Sequence, residues 1–309
     1  MEGVLNVLKP PGMTSHDVVN RVRRLTGVKR VGHTGTLDPT AAGVLVILLG
    51  RATRAAQFMA DHDKEYRAEA VFGVETDTQD AAGKVVAVGD ASGLSAEDVL
   101  RVLPCFRGAI EQAPPMVSAV HHRGKRLYEL ARAGETVEVP PRRVEVYTLD
   151  LIKGDWGSKR PRALFHVSCS KGTYVRTIIT AVGRALGCRA YLSFLLRTRV
   201  GGITIGTAQT LEELESANAA AGLSGVIIPV NEALGRIPAV TIKSSAVKAV
   251  QSGSRLYPAG MEGETERFAA GTAVRLVYEE ELVAVARVEC LDDGRTAYKP
   301  VWVYSVSAE

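Results

Sequence analysis

The sequence predicts an α+β fold built on a mostly antiparallel mixed sheet, followed by a small C-terminal β-barrel domain, and three features carry that prediction. Segments that alternate apolar and polar residues, such as Tyr66 to Gly73, Val144 to Ile152 and Ala163 to Cys169, are mixed with helices in no regular strand–helix–strand order. Val44 to Leu49 is an unbroken apolar run, short enough to be a strand covered on both faces. From about Pro238 the composition shifts to short alternating strands, the pattern of a separate barrel. The 309 residues therefore divide into a domain of 1–235 and a domain of 236–309.

In chain order, Leu5 to Leu8 is a strand that ends at the rigid turn Lys9-Pro10-Pro11-Gly12. A helix follows, with Ser15 as N-cap, Val18, Val19, Val22 and Leu25 on one face and Gly27 as its stop. Arg21, Arg23, Arg24, Lys29 and Arg30 lie around its exposed face and exit. Ala52 to Ala60 reads as a short helix, and Ser95 with Asp98 as a capping box opening another. Gln112-Ala113-Pro114-Pro115 enforces an extended passage. A basic excursion comes next, from His121-His122-Arg123-Gly124-Lys125-Arg126 through a short helix at Leu127 to Ala133 and back by Pro140-Pro141-Arg142-Arg143. Thr173 caps a helix running to Gly187 with Tyr174 and Arg176 in its first turn, Tyr191 to Val200 is a long strand, and Thr207 to Glu215 is an acidic helix. The second domain reads strand (Ala239 to Ile242), helix (Ser245 to Gln251), then strands at Ala273 to Tyr278, Leu282 to Glu289 and Ala297 to Tyr304.

Composition is that of an ordinary globular protein, 46% hydrophobic and 23% charged. The longest apolar run falls far below the ~18 residues of a membrane span, and the N-terminus lacks a signal peptide's layout, so a cytoplasmic protein is expected. Cys105, Cys169, Cys188 and Cys290 have no C-x-x-C spacing and read as reduced, buried small hydrophobes rather than a zinc site or disulfide framework. Net charge is only +4, but its distribution is uneven: Lys+Arg against Asp+Glu run 8 to 3 in residues 1–60, 5 to 11 in 61–120, 16 to 6 in 121–200 and 9 to 14 in 201–309. Two basic blocks flank an acidic one, and a fold that joined them would attract a polyanion.

The stretch from Gly32 to Gly50 concentrates the chemistry. A glycine-punctuated loop carrying His33 and Asp38 runs directly into the buried strand, which sets a carboxylate at the mouth of a core. Pro39 holds Asp38 out of the helical region and fixes its direction. Taken alone, an Asp-Pro pair is most often a turn before a core strand, and Tyr66, Arg176 and His33 singly read as a strand aromatic, a solvated helix residue and a turn residue.

Four segments change those odds together: Leu8-Lys9-Pro10-Pro11-Gly12-Met13-Thr14-Ser15-His16-Asp17, Gly32-His33-Thr34-Gly35-Thr36-Leu37-Asp38-Pro39, Lys64-Glu65-Tyr66 and Ser170-Lys171-Gly172-Thr173-Tyr174-Val175-Arg176-Thr177. In this order they closely resemble the bacterial TruB family of tRNA pseudouridine synthases, through about residue 205 and more loosely beyond. The C-terminal segment, with Ser252-Gly253-Ser254-Arg255-Leu256-Tyr257, is similar to a PUA domain, an RNA-binding barrel.

The resemblance implies isomerisation of uridine 55 in the T loop of tRNA, with no metal or organic cofactor. Asp38 would be the catalytic carboxylate, as nucleophile or as base of a glycal route. Arg176 would hold it ionised, since an opposite charge nearby favours the charged form. Tyr66 would stack on the uracil and relay the C5 proton, and Tyr174 and Leu195 would line the pocket. His33 would fill the space left by the flipped base, Lys9 would support the catalytic loop, and Lys64, Arg197 and Arg199 would contact phosphate. Leu196 and Ile203 depart from the family, which often has an arginine and an aromatic there.

The excursion at about 121 to 143 is lacking in the family's guide-RNA-dependent kin, so its presence implies a stand-alone enzyme that grips the T arm, with no obligatory protein partner, as a monomer. Two other classes compete. One is an RNA-binding protein that helps tRNA fold, with incidental catalysis. The other is a nucleoside hydrolase, which commonly needs a second carboxylate or a metal, and the motifs hold neither.

Overall fold

The computed structural model describes residues 1–118, 120–122, 124–135, 137–263 and 268–304. The chain opens with β1 (Gly3–Lys9), α1 (Ser15–Thr26), β2 (Val31–His33) and β3 (Ala42–Leu49). Every residue of β3 is buried, as its unbroken apolar sequence requires. α1 is capped one residue earlier than expected, by Thr14, whose hydroxyl accepts from the Asp17 amide while the Asp17 carboxylate accepts from the Thr14 amide. Gly27 stops it at φ 67°, a left-handed conformation that costs glycine nothing. Ala52 to Ala60, expected as one helix, is a tight 3-10 turn at Gly50–Ala55 followed by a single α-turn, α2 (Ala56–Met59).

Next come β4 (Lys64–Phe72), β5 (Val74–Thr76), β6 (Val85–Val88), α3 (Ala96–Val102) and β7 (Gly108–Gln112). The capping box at Ser95 and Asp98 forms as the sequence predicts. The basic excursion folds into a two-stranded hairpin, β8 (His121–His122) and β9 (Lys125–Arg126), leading into α4 (Leu127–Arg132); Arg123 lies outside the described residues. Then follow β10 (Arg142–Asp155), β11 (Arg162–Cys169), α5 (Val175–Ala185), β12 (Ala190–Val200), β13 (Ile203–Thr204), α6 (Leu211–Ala220) and α7 (Val230–Ala233). Tyr174, not Thr173, is the N-cap of α5, and α6 starts after Thr210, later than its acidic sequence implied.

The main sheet runs β1-β3-β12-β4-β11-β10-β7, antiparallel except where β12 meets β3 at Leu196↔Ala42 and Arg197↔Gly43. That α+β, mostly antiparallel architecture is the one expected. α5 packs Val175, Ile178, Ile179 and Val182 with Tyr66, Ala68, Phe165 and Leu195 of the sheet in one core, while α1 and α6 build another with β1 and β3. Of the cysteines, Cys169 and Cys188 are buried as expected, but Cys105 and Cys290 are exposed; all are free.

The second domain comprises β14 (Ala239–Thr241), α8 (Ser244–Gln251), β15 (Ala273–Tyr278), β16 (Glu281–Cys290) and β17 (Thr296–Val303). Its strands form a four-stranded sheet in chain order. The expected barrel is thereby corrected: among the described residues β14 and β17 do not pair, and the outer edge of β17 meets only a single bridge, Leu256↔Tyr298. Ala246 and Val250 of α8 fill the inner face, so the core is covered without closure. Leu282, Val285 and Trp302 share a core with Val4, Val44 and Met59 of the first domain, and Phe58 stacks on Trp302 at 5.9 Å. The two domains thus meet through apolar packing, not only through a linker.

Candidate active site

Three buried polar side chains hold the loop that carries Asp38. Lys9 Nζ, fully buried at the end of β1, donates to the carbonyls of Pro10, Met13 and Pro39 at 2.8, 2.6 and 3.3 Å. Ser15 Oγ accepts from the Leu37 amide at 2.8 Å and donates to the Leu37 carbonyl at 3.1 Å. From β12, the Arg197 guanidinium donates to the carbonyls of Val44, Thr36 and Gly35 at 2.7, 3.2 and 3.2 Å. These donors satisfy a loop whose irregular backbone has few partners of its own, as burial demands.

Arg197 is 2% exposed and Lys64 8%, and the Lys64 ammonium is taken by the carbonyls of His62 and Ala60. The phosphate contacts expected of both are therefore corrected: their donors point into the protein and brace it. Arg199, also expected at phosphate, pairs with Glu65 at 2.6 Å. The charge pattern did not separate these inward arginines from solvated ones, because alternation along β12 is interrupted by a register shift between Arg197 and Arg199. Lys9 supports the loop, as its motif implies, but from complete burial.

Where β3 meets β12, Gly43 has φ 115° and an added Cβ would lie 2.2 Å from the Arg197 carbonyl oxygen. Glycine alone lets the Asp38 loop and the Arg197 strand approach this closely.

Asp38 emerges from this support with its side chain 35% exposed, and Arg176 of the first turn of α5 meets it, Nη2 to Oδ2, at 3.4 Å. The Arg176 side chain is itself 3% exposed; its Nη2 donates to the Val117 carbonyl at 2.6 Å, and its guanidinium carbon lies 5.6 Å from the centre of the Tyr174 ring. Gln112 fixes the start of α5 by accepting from the Tyr174 amide at 2.7 Å and donating to the Tyr174 carbonyl at 3.0 Å.

A second carboxylate, outside the recognised motifs, joins the pair. Asp80, 7% exposed, places Oδ2 3.9 Å from Nη1 of Arg176. It is itself steadied by the Thr78 hydroxyl at 2.6 Å and the Ala82 amide at 3.0 Å. Its segment, Thr76 to Gly83, reads in sequence as a polar turn, and only its packing beneath α5 distinguishes it.

Burial pushes the Asp38 carboxyl above the ordinary carboxylate range; Arg176 opposes that rise and Asp80 adds to it. Tyr66, 7% exposed, is pushed up to about 12 by burial despite Arg197 alongside, so its phenol keeps its proton throughout the neutral range. Tyr66 pairs with Arg197 across β4 and β12, and Asp38 acts electrostatically on its phenol. Leu195 and Tyr66 lie in one apolar cluster with Leu37 and Ala41, which flank the Asp38 turn. His33 stands on β2 beyond the loop, with Nδ1 buried and unpartnered and its pKa lowered by burial and by Arg197. It is a neutral, half-buried ring.

The structure thus joins Asp38, Arg176 and Asp80 in one ion-paired group, with the Tyr174 ring against Arg176, Tyr66 and Leu195 in the adjoining apolar cluster, His33 on β2 before the loop, and Lys9 and Arg197 bracing that loop. A carboxylate beside a buried guanidinium, with a protonated phenol within electrostatic reach, is an arrangement capable of proton transfer or nucleophilic attack.

Residues 23–175 match the TruB family pseudouridylate synthase N-terminal domain, residues 176–235 the tRNA pseudouridylate synthase B C-terminal domain and residues 238–292 the PUA domain. The chain is 50% identical to tRNA pseudouridine synthase B of Pelotomaculum thermopropionicum, over 100% of this chain and 98% of that protein. It is 43% identical to the protein of the same name from Moorella thermoacetica, over 96% and 97%. Among solved structures, an H/ACA RNP bound to a substrate RNA containing 2′-deoxyuridine is 28% identical with a TM-score of 0.77, covering 99% of this chain and 86% of that one. A Cbf5-Nop10-Gar1 complex is 30% identical with a TM-score of 0.75, over 98% and 84%. This chain belongs to the TruB family of pseudouridylate synthases.

Proposed function

We propose that the protein converts uridine 55 in the T loop of tRNA to pseudouridine, acting alone rather than with a guide RNA. The observation that supports this best is the partly exposed Asp38 carboxylate, held at 3.4 Å by the buried guanidinium of Arg176 beside the apolar cluster of Leu37, Tyr66 and Leu195. In the reaction the bond from ribose C1′ to uracil N1 breaks, the uracil turns, C5 joins C1′, and the C5 hydrogen leaves as a proton while N1 takes one up. No electron is gained or lost. Asp38 acts as the anion on the ribose, kept ionised against its burial by Arg176. Tyr66, protonated, stacks on the uracil and offers a hydroxyl to relay the C5 proton. Leu195 and Tyr174 exclude water, and neutral His33 occupies the gap that the flipped base leaves, offsetting an unstacking cost of a few kcal/mol.

The stand-alone reading is supported by the hairpin at His121–Arg126, whose Lys125 and Arg126 are exposed. The names of the 50% and 43% identical relatives support tRNA as the substrate. A tRNA transcript labelled with tritium at uracil C5 tests the whole reading. Label released into water, with no free uracil, is the expected result, and a transcript lacking only the target uridine yields none. Free uracil would indicate hydrolysis, and tRNA binding without release would indicate a folding chaperone.

A further inference from the structure

Between Asp17 and Asp61 the sequence has a single acidic residue, Asp38, against seven cations. Arg21 is engaged by Glu212 and Glu215, Arg51 by Glu2, and Arg23 donates to Asn20. Arg24, Lys29, Arg30 and Arg54 remain exposed, and none has an acidic partner among the described residues. Cations in the last turn of a helix complement its dipole, which accounts for Arg24 in α1 and gives Arg54 the same place in the Gly50–Ala55 turn, but not for Lys29 or Arg30. Lys29 and Arg30 lie past the Gly27 stop, and Arg54 belongs to a different segment.

The fold brings these segments together. The Gly50 amide donates to the Arg30 carbonyl at 2.8 Å, fixing the Gly50–Ala55 turn against the start of β2, and Thr53 packs on Gly32. Among the described residues β2 pairs with β3 alone, through Val31↔Leu49, Gly32↔Leu48 and His33↔Ile47. Arg30 directly precedes that strand and His33 ends it, about 10 Å further at ~3.3 Å per residue. A surface of uncompensated positive charge therefore starts at the Leu49 end of β3, three residues along β2 from His33, and is carried on elements other than the His121–Arg126 hairpin.

We propose that Arg24, Lys29, Arg30 and Arg54 form a second phosphate-binding surface, which holds the sugar-phosphate backbone of the RNA whose base enters the pocket beside His33. This rests on the uridine-modifying reading of the site. Cations with no acid nearby give up no ion pair on meeting phosphate, and each contact releases counterions. The surface sets affinity and register, not the chemistry.

The test compares the wild-type enzyme with the double variant Arg30→Gln, Arg54→Gln, and with Arg24→Gln, Lys29→Gln as a second pair. Filter binding of an unmodified tRNA transcript is measured from about 50 to about 200 mM salt, alongside single-turnover tritium release at saturating RNA. For each pair the log Kd–log salt slope is expected to fall by about 1.4–1.8, since each lost contact removes ~0.7–0.9. The saturated rate stays at the wild-type level. Wild-type slope and affinity in both pairs overturn the proposal and leave the patch to an acidic protein partner. If instead the wild-type enzyme releases no tritium, the functional reading fails, while the slopes still decide whether these residues hold RNA.

Discussion

Arg176 reaches Asp38 from the buried side, its Nη2 3.4 Å from Oδ2 with side-chain exposures of 3% and 35%, so the anion reaches solvent and its counter-charge does not. The guanidinium fixes the direction of the carboxylate and opposes the upward shift that burial imposes on it. The residue that would carry the reaction is therefore more exposed than the Arg176 and Asp80 side chains grouped with it.

Asp38→Asn is expected to abolish tritium release while tRNA affinity stays within about twofold, because the carboxylate supplies chemistry rather than contact area. Its effect on stability has a defined sign. A carboxyl whose folded pKa lies above its unfolded value of about 3.9 favours folding while protonated, and that contribution is lost as pH rises through the folded value. At neutral pH the ionised Asp38 is thus a cost, and Asp38→Asn should melt no lower than wild type. Calorimetry at pH 7 checks this, and a clear drop in Tm would assign Asp38 a structural role.

The acid limb of the pH–rate profile should fall above the ordinary carboxylate range, since Asp38 must be ionised. Asp80 contributes to that elevation, so Asp80→Asn should move the limb to lower pH. The same change frees one side of Arg176, and a misplaced guanidinium should lower the saturated rate by roughly 10–100-fold. A rate loss with an unmoved limb would mean that Asp80 acts only through packing.

Arg197→Ala leaves the carbonyls of Val44, Thr36 and Gly35 without their buried donor. A loss of about 3–5 kcal/mol in urea unfolding is expected, with the salt dependence of tRNA binding unchanged. A reduced salt slope in folded protein would restore the phosphate-contact role.

Gly43→Ala forces a Cβ to within 2.2 Å of the Arg197 carbonyl oxygen at φ 115°. Strain and overpacking of about 1–3 kcal/mol each should destabilise the protein and separate β3 from β12. Wild-type stability with wild-type turnover would show that this contact yields at little cost.

Lys125→Ala with Arg126→Ala removes two exposed cations of the hairpin. Weaker tRNA binding and a salt slope shallower by about 1.4–1.8 are expected, with turnover at saturating tRNA retained. Unchanged affinity would remove the hairpin from the RNA grip.

Much of this molecule is local and was therefore legible along the chain. The all-buried strand at Ala42–Leu49, the stop at Gly27, the capping box at Ser95 and the pairing of Arg142–Asp155 with Arg162–Cys169 follow from periodicity and backbone chemistry within a few residues. So does the Asp38-Pro39 turn, and the four motifs around it named the family before any coordinate did. What sequence could not determine is which way a charge faces. Lys64 and Arg197 were expected at phosphate and Ser15 as a cap, and no motif singled out Asp80. Burial of an ion depends on donors and acceptors brought from distant parts of the chain. Arg197 finds its carbonyls some 160 residues upstream, and Asp80 meets Arg176 across the base of α5. Tertiary structure alone decided those partnerships, and with them which cations brace the loop and which remain free to meet RNA.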